Sequence, residues 1–299
     1  MDYLLGLDLG GTKIEAAILD AQSFSVLDRL RIPTEADKGY DRIVQNIVNI
    51  IGQISDKNGL SFSKVGIGTP GTLEPQTHTM KNCNTTALNG KPLKKDLEAL
   101  LNKEVLLSND ANCFAVAEAS MGIVPDLVHN PHVVFGIIMG TGVGGGVVVH
   151  SKVIGGLQGI GGEWGHNFLD ESGGLCYCGK IGCVEKIISG PALESYYYSL
   201  SGQHLSLKDI VQNYRNQNDN FADLTMERLF ENFAKAVSVV INILDPDIIV
   251  IGGGVGNIDE IYTLGVERVK KYIFNRRLDT LFAKPKLGDS AGVYGAALL

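Results

Sequence analysis

A turn of paired glycines set between two apolar, β-favouring segments occurs twice in this chain, and it constrains the fold more than any other feature. Residues 3–20 (YLLGLDLGGTKIEAAILD) read as two strands joined at Gly10-Gly11. Residues 133–149 (VVFGIIMGTGVGGGVVV) repeat the design, Gly6 falling on Gly136 and Gly10 on Gly140 at one constant offset. The pattern argues an internal duplication with one glycine-turn hairpin opening each half. A chain of 299 residues has length for two domains with real cores, and 44% hydrophobic with 20% charged residues excludes a disordered or fibrous protein.

The segments around the hairpins fill in an α/β plan. A helix at about 40–57 carries Ile43, Ile47, Ile50, Ile51 and Ile54 on one face, and a strand runs from Lys64 to Gly68. A short helix near 92–102 leads to strand Val105 to Leu107, and Ala111 to Ser120 is rich in helix formers. Helices are expected near 190–200, 206–217 and 222–244; strand Ile248 to Ile251 then runs into Gly252-Gly253-Gly254, and a helix follows from about Ile258 to Phe274. Strands alternating with helices, plus two hairpins, predict mixed sheets. No Ser/Pro-rich linker separates the halves, so two domains are expected to meet around a cleft, the usual place for a ligand.

Charge narrows the function. Lys and Arg number 26 against 33 Asp and Glu, so the net charge of −7 offers nucleic acid or an anionic membrane no general attraction. The longest apolar runs, Val147 to Val149 and Ile248 to Ile251, fall far short of the ~20 residues that span a bilayer. The sequence opens directly on a strand pattern with no signal-peptide n-region, and a cytoplasmic protein is expected. Any anionic ligand must be held by local geometry.

Three glycine-rich turns offer that geometry. In Asp8-Leu9-Gly10-Gly11-Thr12-Lys13 the glycines let backbone amides and the Thr12 hydroxyl converge on phosphate oxygens, while Asp8 at the strand end can hold Mg²⁺ through water; an ordinary hairpin turn is the plainer reading. Gly140-Thr141-Gly142-Val143-Gly144-Gly145-Gly146 contains G-x-G-x-x-G, but strand residues rather than a helix follow, which rules out a dinucleotide fingerprint. Five glycines in seven residues are entropically costly in a plain hairpin, and a second phosphate-holding turn explains them better. Gly252-Gly253-Gly254-Val255 fits close approach to a nucleotide or simple turn chemistry.

The strongest motif is His166…Cys176-Tyr177-Cys178…Cys183. Three of the five cysteines lie within eight residues, which in a reducing compartment reads as metal rather than disulfide. Three thiolates and one imidazole make a closed tetrahedral zinc set with no open position for water activation, and Gly173, Gly174, Gly179 and Gly182 let the chain wrap it. Asn109-Asp110 ends a strand where α/β sheets face their ligands, so Asp110 either accepts a hydroxyl proton or caps the helix at 111–120. Glu163 and Glu185, beside the metal loop, suit sugar hydroxyls or support of the metal ligands.

Together these segments, with Gly68-Thr69-Pro70-Gly71 and Gly162-Glu163-Trp164-Gly165-His166, resemble the family of repressors, open reading frames and kinases called ROK, over nearly the whole chain. The resemblance implies a ribonuclease H-like, actin-like ATPase fold: a small α/β domain at 1–112 completed by a helix at about 285–299, and a large one at 113–284 with the zinc loop. It implies ATP binding by Gly6, Asp8, Gly10, Gly11, Thr12, Lys13, Gly140, Thr141, Gly142, Val143, Gly144, Gly145, Gly253 and Gly254. It further implies Asp110 as general base toward the 6-hydroxyl, and Gly71, Asn84, Asn109, Glu163, His166 and Glu185 as sugar ligands, with one ring nitrogen of His166 toward zinc and the other toward sugar.

The implied activity is an ATP:hexose 6-phosphotransferase using Mg²⁺, with structural Zn²⁺. Lys81 to Pro92, Gly165-His166-Asn167 and Cys176 to Lys180 look most like the fructokinase/mannokinase branch, with N-acetylglucosamine kinase as the alternative and glucokinase behind it. A non-catalytic sugar sensor is the reading from another class. No helix-turn-helix precedes the first strand, so DNA is not an expected partner; a homodimer is.

Overall fold

The structure, a computed structural model, describes residues 2–299. In chain order, strands β1 (Tyr3–Leu9), β2 (Lys13–Asp20) and β3 (Val26–Pro33) precede helix α1 (Tyr40–Asn58), β4 (Lys64–Thr69), the short β5 (Thr72–Leu73) and β6 (Met80–Lys81), α2 (Leu93–Leu101), β7 (Glu104–Asn109), α3 (Asp110–Ser120) and α4 (Val124–Leu127). Next come β8 (Val133–Met139), β9 (Val143–Val149), β10 (Lys152–Val153), α5 (Glu185–Ile188), α6 (Gly190–Ser201), α7 (Leu207–Asn216), α8 (Asn220–Leu244), β11 (Ile248–Gly252), α9 (Gly253–Gly256), α10 (Val266–Val269), β12 (Leu281–Ala283) and α11 (Ala291–Ala297). The two five-stranded sheets have one and the same order, β3-β2-β1-β4-β7 and β10-β9-β8-β11-β12. The shared order is the structural form of the repeat read from Gly6/Gly136 and Gly10/Gly140.

The chain divides into two compact units, the first made of residues 1–125, 146–161 and 286–299, the second of 126–145 and 162–285. The division falls after Pro125 rather than at 112, because α3 packs against α11 so closely that a Cβ on Gly295 would overlap the Cys113 carbonyl.

In the first unit, β1 pairs antiparallel with β2, Asp8 opposite Glu15 and Leu9 opposite Ile14, and parallel with β4. Alternation along β1 sends Leu5, Leu7 and Leu9 into one core with Ile43, Ile47, Ile50, Ile51 and Ile54 of α1. Gly6 points the other way, where a Cβ would overlap Val293 and Ala297 of α11; Gly66 of β4 meets Ala296 likewise. Gly6 is therefore a packing glycine under α11, not part of the turn that the sequence assigned to ATP. Fully buried Glu118 of α3 accepts the N–H groups of Ile123, Lys286 and Leu287, which satisfies its carboxylate and fixes the returning C-terminal segment.

In the second unit, β8, β11 and β12 run parallel. The 25-residue α8, capped by the Asp219 side chain and stopped at Asp245 in the left-handed region before Pro246, buries Met226, Leu229, Phe230, Phe233 and Val237. Phe233 meets Phe282 of β12 edge-on at 6.3 Å between centroids. The helix expected over 258–274 is shorter: a π-helical turn spans Ile261–Gly265, and α10 ends at Val269. Tyr262 donates to the carbonyls of Ile251 and Gly256, tying that turn to the strand end, and i→i+3 bonds to Arg268 and Val269 tighten the chain beyond α10. No helix among the described residues is long and apolar enough to cross a membrane.

Candidate active site

In the first unit the candidate residues begin at the β1–β2 turn. Gly10 N–H donates to the Lys13 carbonyl at 3.0 Å, and Thr34 ties the base of the turn through bonds to Gly10 O and Thr12 O. Gly11, Thr12 and Lys13 are exposed at the tip. Behind it Asp8 is half-buried and faces Glu15 across the ladder; burial first, then the charges of Asp110 and Glu15, push its pKa up to about 6, with Lys13 and Arg31 opposing. Buried Glu15 accepts from Arg31 at 2.8 Å and from the Ser290 hydroxyl at 3.1 Å. Asp8 and Asp110 offer oxygen ligands and excess negative charge, the chemistry that suits a hard dication such as Mg²⁺.

The question of which residue caps α3 is settled by geometry. Strand pairing of β7 with β4 reaches Asn109, which stands opposite Thr69, so Asn109 is the last extended residue. Its side chain accepts the Asn112 N–H at 2.8 Å, and Asp110 becomes the first helical residue. The Asp110 carboxylate accepts the adjacent Ala111 N–H at 2.8 Å. Its side chain is open to water yet recessed among protein atoms, whose desolvation raises its pKa above the ordinary 3.8 against the pull of that backbone N–H. Asn109, expected as a sugar ligand, is buried with its Oδ1 committed to the cap. Asn84 is exposed, its N–H on the Pro70 carbonyl. Gly71 packs on Cys83, where a Cβ would stand 2.5 Å from Sγ.

The second unit carries the metal motif. One ligand atom from each of His166, Cys176, Cys178 and Cys183 falls within 4.8 Å of all the others. The Cys178 and Cys183 sulfurs are 3.5 Å apart, too far for a disulfide of about 2.05 Å and close to the edge of a tetrahedron with bonds of about 2.3 Å. His166 Nδ1 lies 3.7 Å from Cys176 Sγ, so Nδ1 is the nitrogen on the sulfur side. Burial, then its neighbours Cys178 and Cys176, push the Cys183 thiol up to about 12, a penalty that a divalent cation would remove. Turns with Gly174, Gly179 and Gly182 at positive φ wrap the cluster, as the glycine pattern implies. These residues fit zinc.

Around this loop the structure gathers three of the residues expected as sugar ligands, and beside them Tyr177, to which the sequence reading gave no role. Glu163 and His166 flank a 3₁₀ turn at Trp164–His166, and His166 Nε2 lies 2.9 Å from the Tyr177 hydroxyl. Glu185 starts α5 two residues after Cys183, and its Oε2 accepts the Val143 N–H at 2.9 Å in the second glycine turn. A Cβ on Gly142 would crowd that same oxygen at 2.6 Å. The turn is also held by Gly190 N–H on the Gly140 carbonyl, and a Cβ on Gly140 would come within 4.0 Å of Gly254 N, so two segments assigned to the nucleotide are neighbours. Gly253, at φ 83°, lies against the backbone of Met139. Gly145, however, is a packing position: Trp164, bonded through Nε1 to the Gly144 carbonyl, and Phe135 fill the space of its missing side chain.

Two α/β sheets of one strand order, each opened by a glycine-tipped hairpin and the first ending in an exposed aspartate at the head of a helix, define an actin-like ATPase fold. The sequence model of the ROK family matches residues 4–299, and the chain belongs to that family. It is 35% identical over 305 residues to an N-acetyl-D-glucosamine kinase of Pectobacterium atrosepticum, covering 98% of this chain and 97% of the relative. An N-acetyl-D-glucosamine kinase of Escherichia coli is 35% identical over 304 residues, with 98% of each covered. Among solved structures, a ROK hexokinase from Thermus thermophilus matches with TM-score 0.88 and 28% identity over 99% of this chain and 97% of that one. A ROK glucokinase from Streptomyces griseus, in complex with glucose and AMPPNP, matches with TM-score 0.77 and 26% identity over 99% and 98%. Both of these sequence relatives are named for N-acetyl-D-glucosamine, the alternative sugar of the sequence reading, and neither for fructose.

Proposed function

We propose that this protein is an ATP-dependent sugar kinase that transfers the γ-phosphoryl group to the 6-hydroxyl of N-acetyl-D-glucosamine. The observation that carries the chemistry is the cap at Asn109, which leaves the neighbouring Asp110 carboxylate open to water with a raised pKa, the state wanted in a general base. Support for the sugar comes from the N-acetylglucosamine kinases that share 35% of their residues with nearly all of this chain.

Phosphoryl transfer asks a protein for alignment and charge stabilisation. Asp110 accepts the hydroxyl proton as the oxygen attacks. The backbone N–H groups of Gly11 and Thr12 in one glycine turn, and of Thr141 and Gly142 in the other, are the donors suited to phosphate oxygens, because those of Gly10, Gly140 and Val143 are spent within the protein; such donors let a chain of net charge −7 hold an anion. Asp8 would hold Mg²⁺ through water; the ion, when bound, neutralises charge building on the phosphate oxygens. Glu163, His166 and the Glu185 carboxylate would orient the sugar. His166, Cys176, Cys178 and Cys183 would hold Zn²⁺, which supplies rigidity to the sugar loop and takes no part in the transfer.

Coupled ADP release with N-acetylglucosamine, glucose, mannose and fructose tests the reading. The expected result is the highest kcat/KM for N-acetylglucosamine; preference for fructose would overturn the sugar assignment, and no ADP release with any sugar would overturn the activity in favour of a sugar sensor.

A further inference from the structure

Tyr177 lies between two of the metal ligands in sequence and belongs to none of the roles above, yet it makes the most specific contact in the loop. Its ring is 72% exposed and stands edge-on to the His166 imidazole, at 5.1 Å between centroids and 89° between planes. Its hydroxyl reaches Nε2 at 2.9 Å, a full hydrogen bond.

The tautomer follows from the other side of the ring. Nδ1 faces the cysteine sulfurs, so a metal held there leaves the imidazole proton on Nε2. Nε2–H is then a donor with a single proton, and the phenolic oxygen is its acceptor. A sugar hydroxyl meeting His166 would need the same donor and the same position, about 2.9 Å away along the N–H direction. Two oxygens cannot share it at full strength. Tyr177, being mostly exposed, has room to leave by side-chain rotation, whereas His166 is held by the metal set and by its own backbone N–H bond to the Glu163 carbonyl.

We propose that Tyr177 is an internal stand-in for a sugar hydroxyl, occupying Nε2 of His166 in the sugar-free protein and displaced by the incoming substrate, so that it sets sugar affinity without entering the chemistry. This rests on the reading of His166 as a sugar ligand. The contact keeps the imidazole oriented and its proton on Nε2 while the site waits, and the sugar must break one hydrogen bond to bind. It is a positioning residue whose signature is an effect on KM with kcat preserved.

The experiment compares the zinc-loaded wild type with Tyr177→Phe, which keeps the ring and deletes the hydroxyl. Calorimetric Kd and steady-state KM for N-acetyl-D-glucosamine are expected to fall by about 2- to 10-fold, the factor that one net hydrogen bond gives, with kcat within a factor of about two. Zinc content by mass spectrometry is expected to be unchanged, and the Nε2–H proton resonance of His166 in the sugar-free protein is expected to lose its downfield, exchange-protected position. Tyr177→Leu, which also removes the ring edge, should bind sugar at least as tightly as Tyr177→Phe if zinc is retained. A raised Kd in Tyr177→Phe would make Tyr177 a sugar contact, and an unchanged Kd would make the contact incidental; either overturns the proposal while the kinase reading stands. A wild type that binds none of the four hexoses would overturn the kinase reading, and the displacement with it.

Discussion

The two glycine hairpins are built on the same strand order and do different things at their tips. In the first, Gly11, Thr12 and Lys13 are exposed, and the charge lies behind them in Asp8 and Glu15. In the second, the turn is gripped: Glu185 holds Val143, Gly190 holds Gly140, and Trp164 fills the space beside Gly145. The difference teaches that a duplicated fold keeps the backbone shape that can cup a phosphate and varies what backs it. One copy is backed by the carboxylates of Asp8 and Glu15, the other by Glu185, Gly190 and Trp164 from the segments on either side of the cysteine loop.

The sharpest way to break this division is at Asp110. Asp110→Asn should lower kcat by about 10²–10⁴ while leaving sugar Kd and melting temperature near wild type, because the Asn109 cap stays in place. A near-normal kcat would remove Asp110 from the mechanism. The raised pKa adds a pH test: activity needs the ionised carboxylate, so it should be full above that pKa and decline as pH falls through it, beginning at a higher pH than the 3.8 of an ordinary aspartate. The second region should fail differently. Chelation, or Cys178→Ser, is expected to raise the sugar KM at least about tenfold and lower the melting temperature in the same samples. A metal-free protein with full activity would dissolve the link between loop and sugar.

Smaller effects sharpen the comparison. Asp8 has its pKa raised to about 6 in the folded protein, so its ionised form is disfavoured by folding; the cost is absent at low pH and grows as pH rises from 3.8 through about 6. Asp8→Asn should therefore stabilise the protein at pH 7, on the order of 1–3 kcal/mol, while losing Mg²⁺-dependent turnover. Equal stability in calorimetric melting would show that the folded protein does not penalise this charge. Asn109→Ala should cost about 0.5–2 kcal/mol, as cap deletions do, with a smaller loss of kcat from a less firmly placed Asp110. Urea melts at pH 7 measure the first quantity.

The hairpins, the cysteine set and most helices were legible because each is local: a glycine pair between apolar runs, three cysteines within eight residues, an isoleucine stripe at helical spacing. What escaped depends on residues distant in sequence or on a choice between neighbours. Gly6 looks like part of its motif until Val293 and Ala297 are seen lying on it, and Gly145 until Trp164 and Phe135 are. Asn109 and Asp110 are both good capping residues, and only the length of the β7–β4 pairing decides between them. The helix expected to Phe274 ends at Val269, where i→i+3 bonds to the Arg268 and Val269 carbonyls replace the α-helical ladder. Tyr177 stood in plain view between two cysteines, but nothing in spacing says where a phenol will reach.

The glycines beneath α11 carry a consequence for biogenesis. Gly6 and Gly66 expose bare backbone until residues 291–297 arrive, and Glu118 lacks its Lys286 and Leu287 donors until the same segment is made. A nascent chain emerging from the ribosome thus carries a first sheet with part of one face uncovered while the second unit is made, and closes it only when α11 is made. Stop codons or bulky tags introduced shortly before that helix would yield protein that aggregates during translation, even with every functional side chain present.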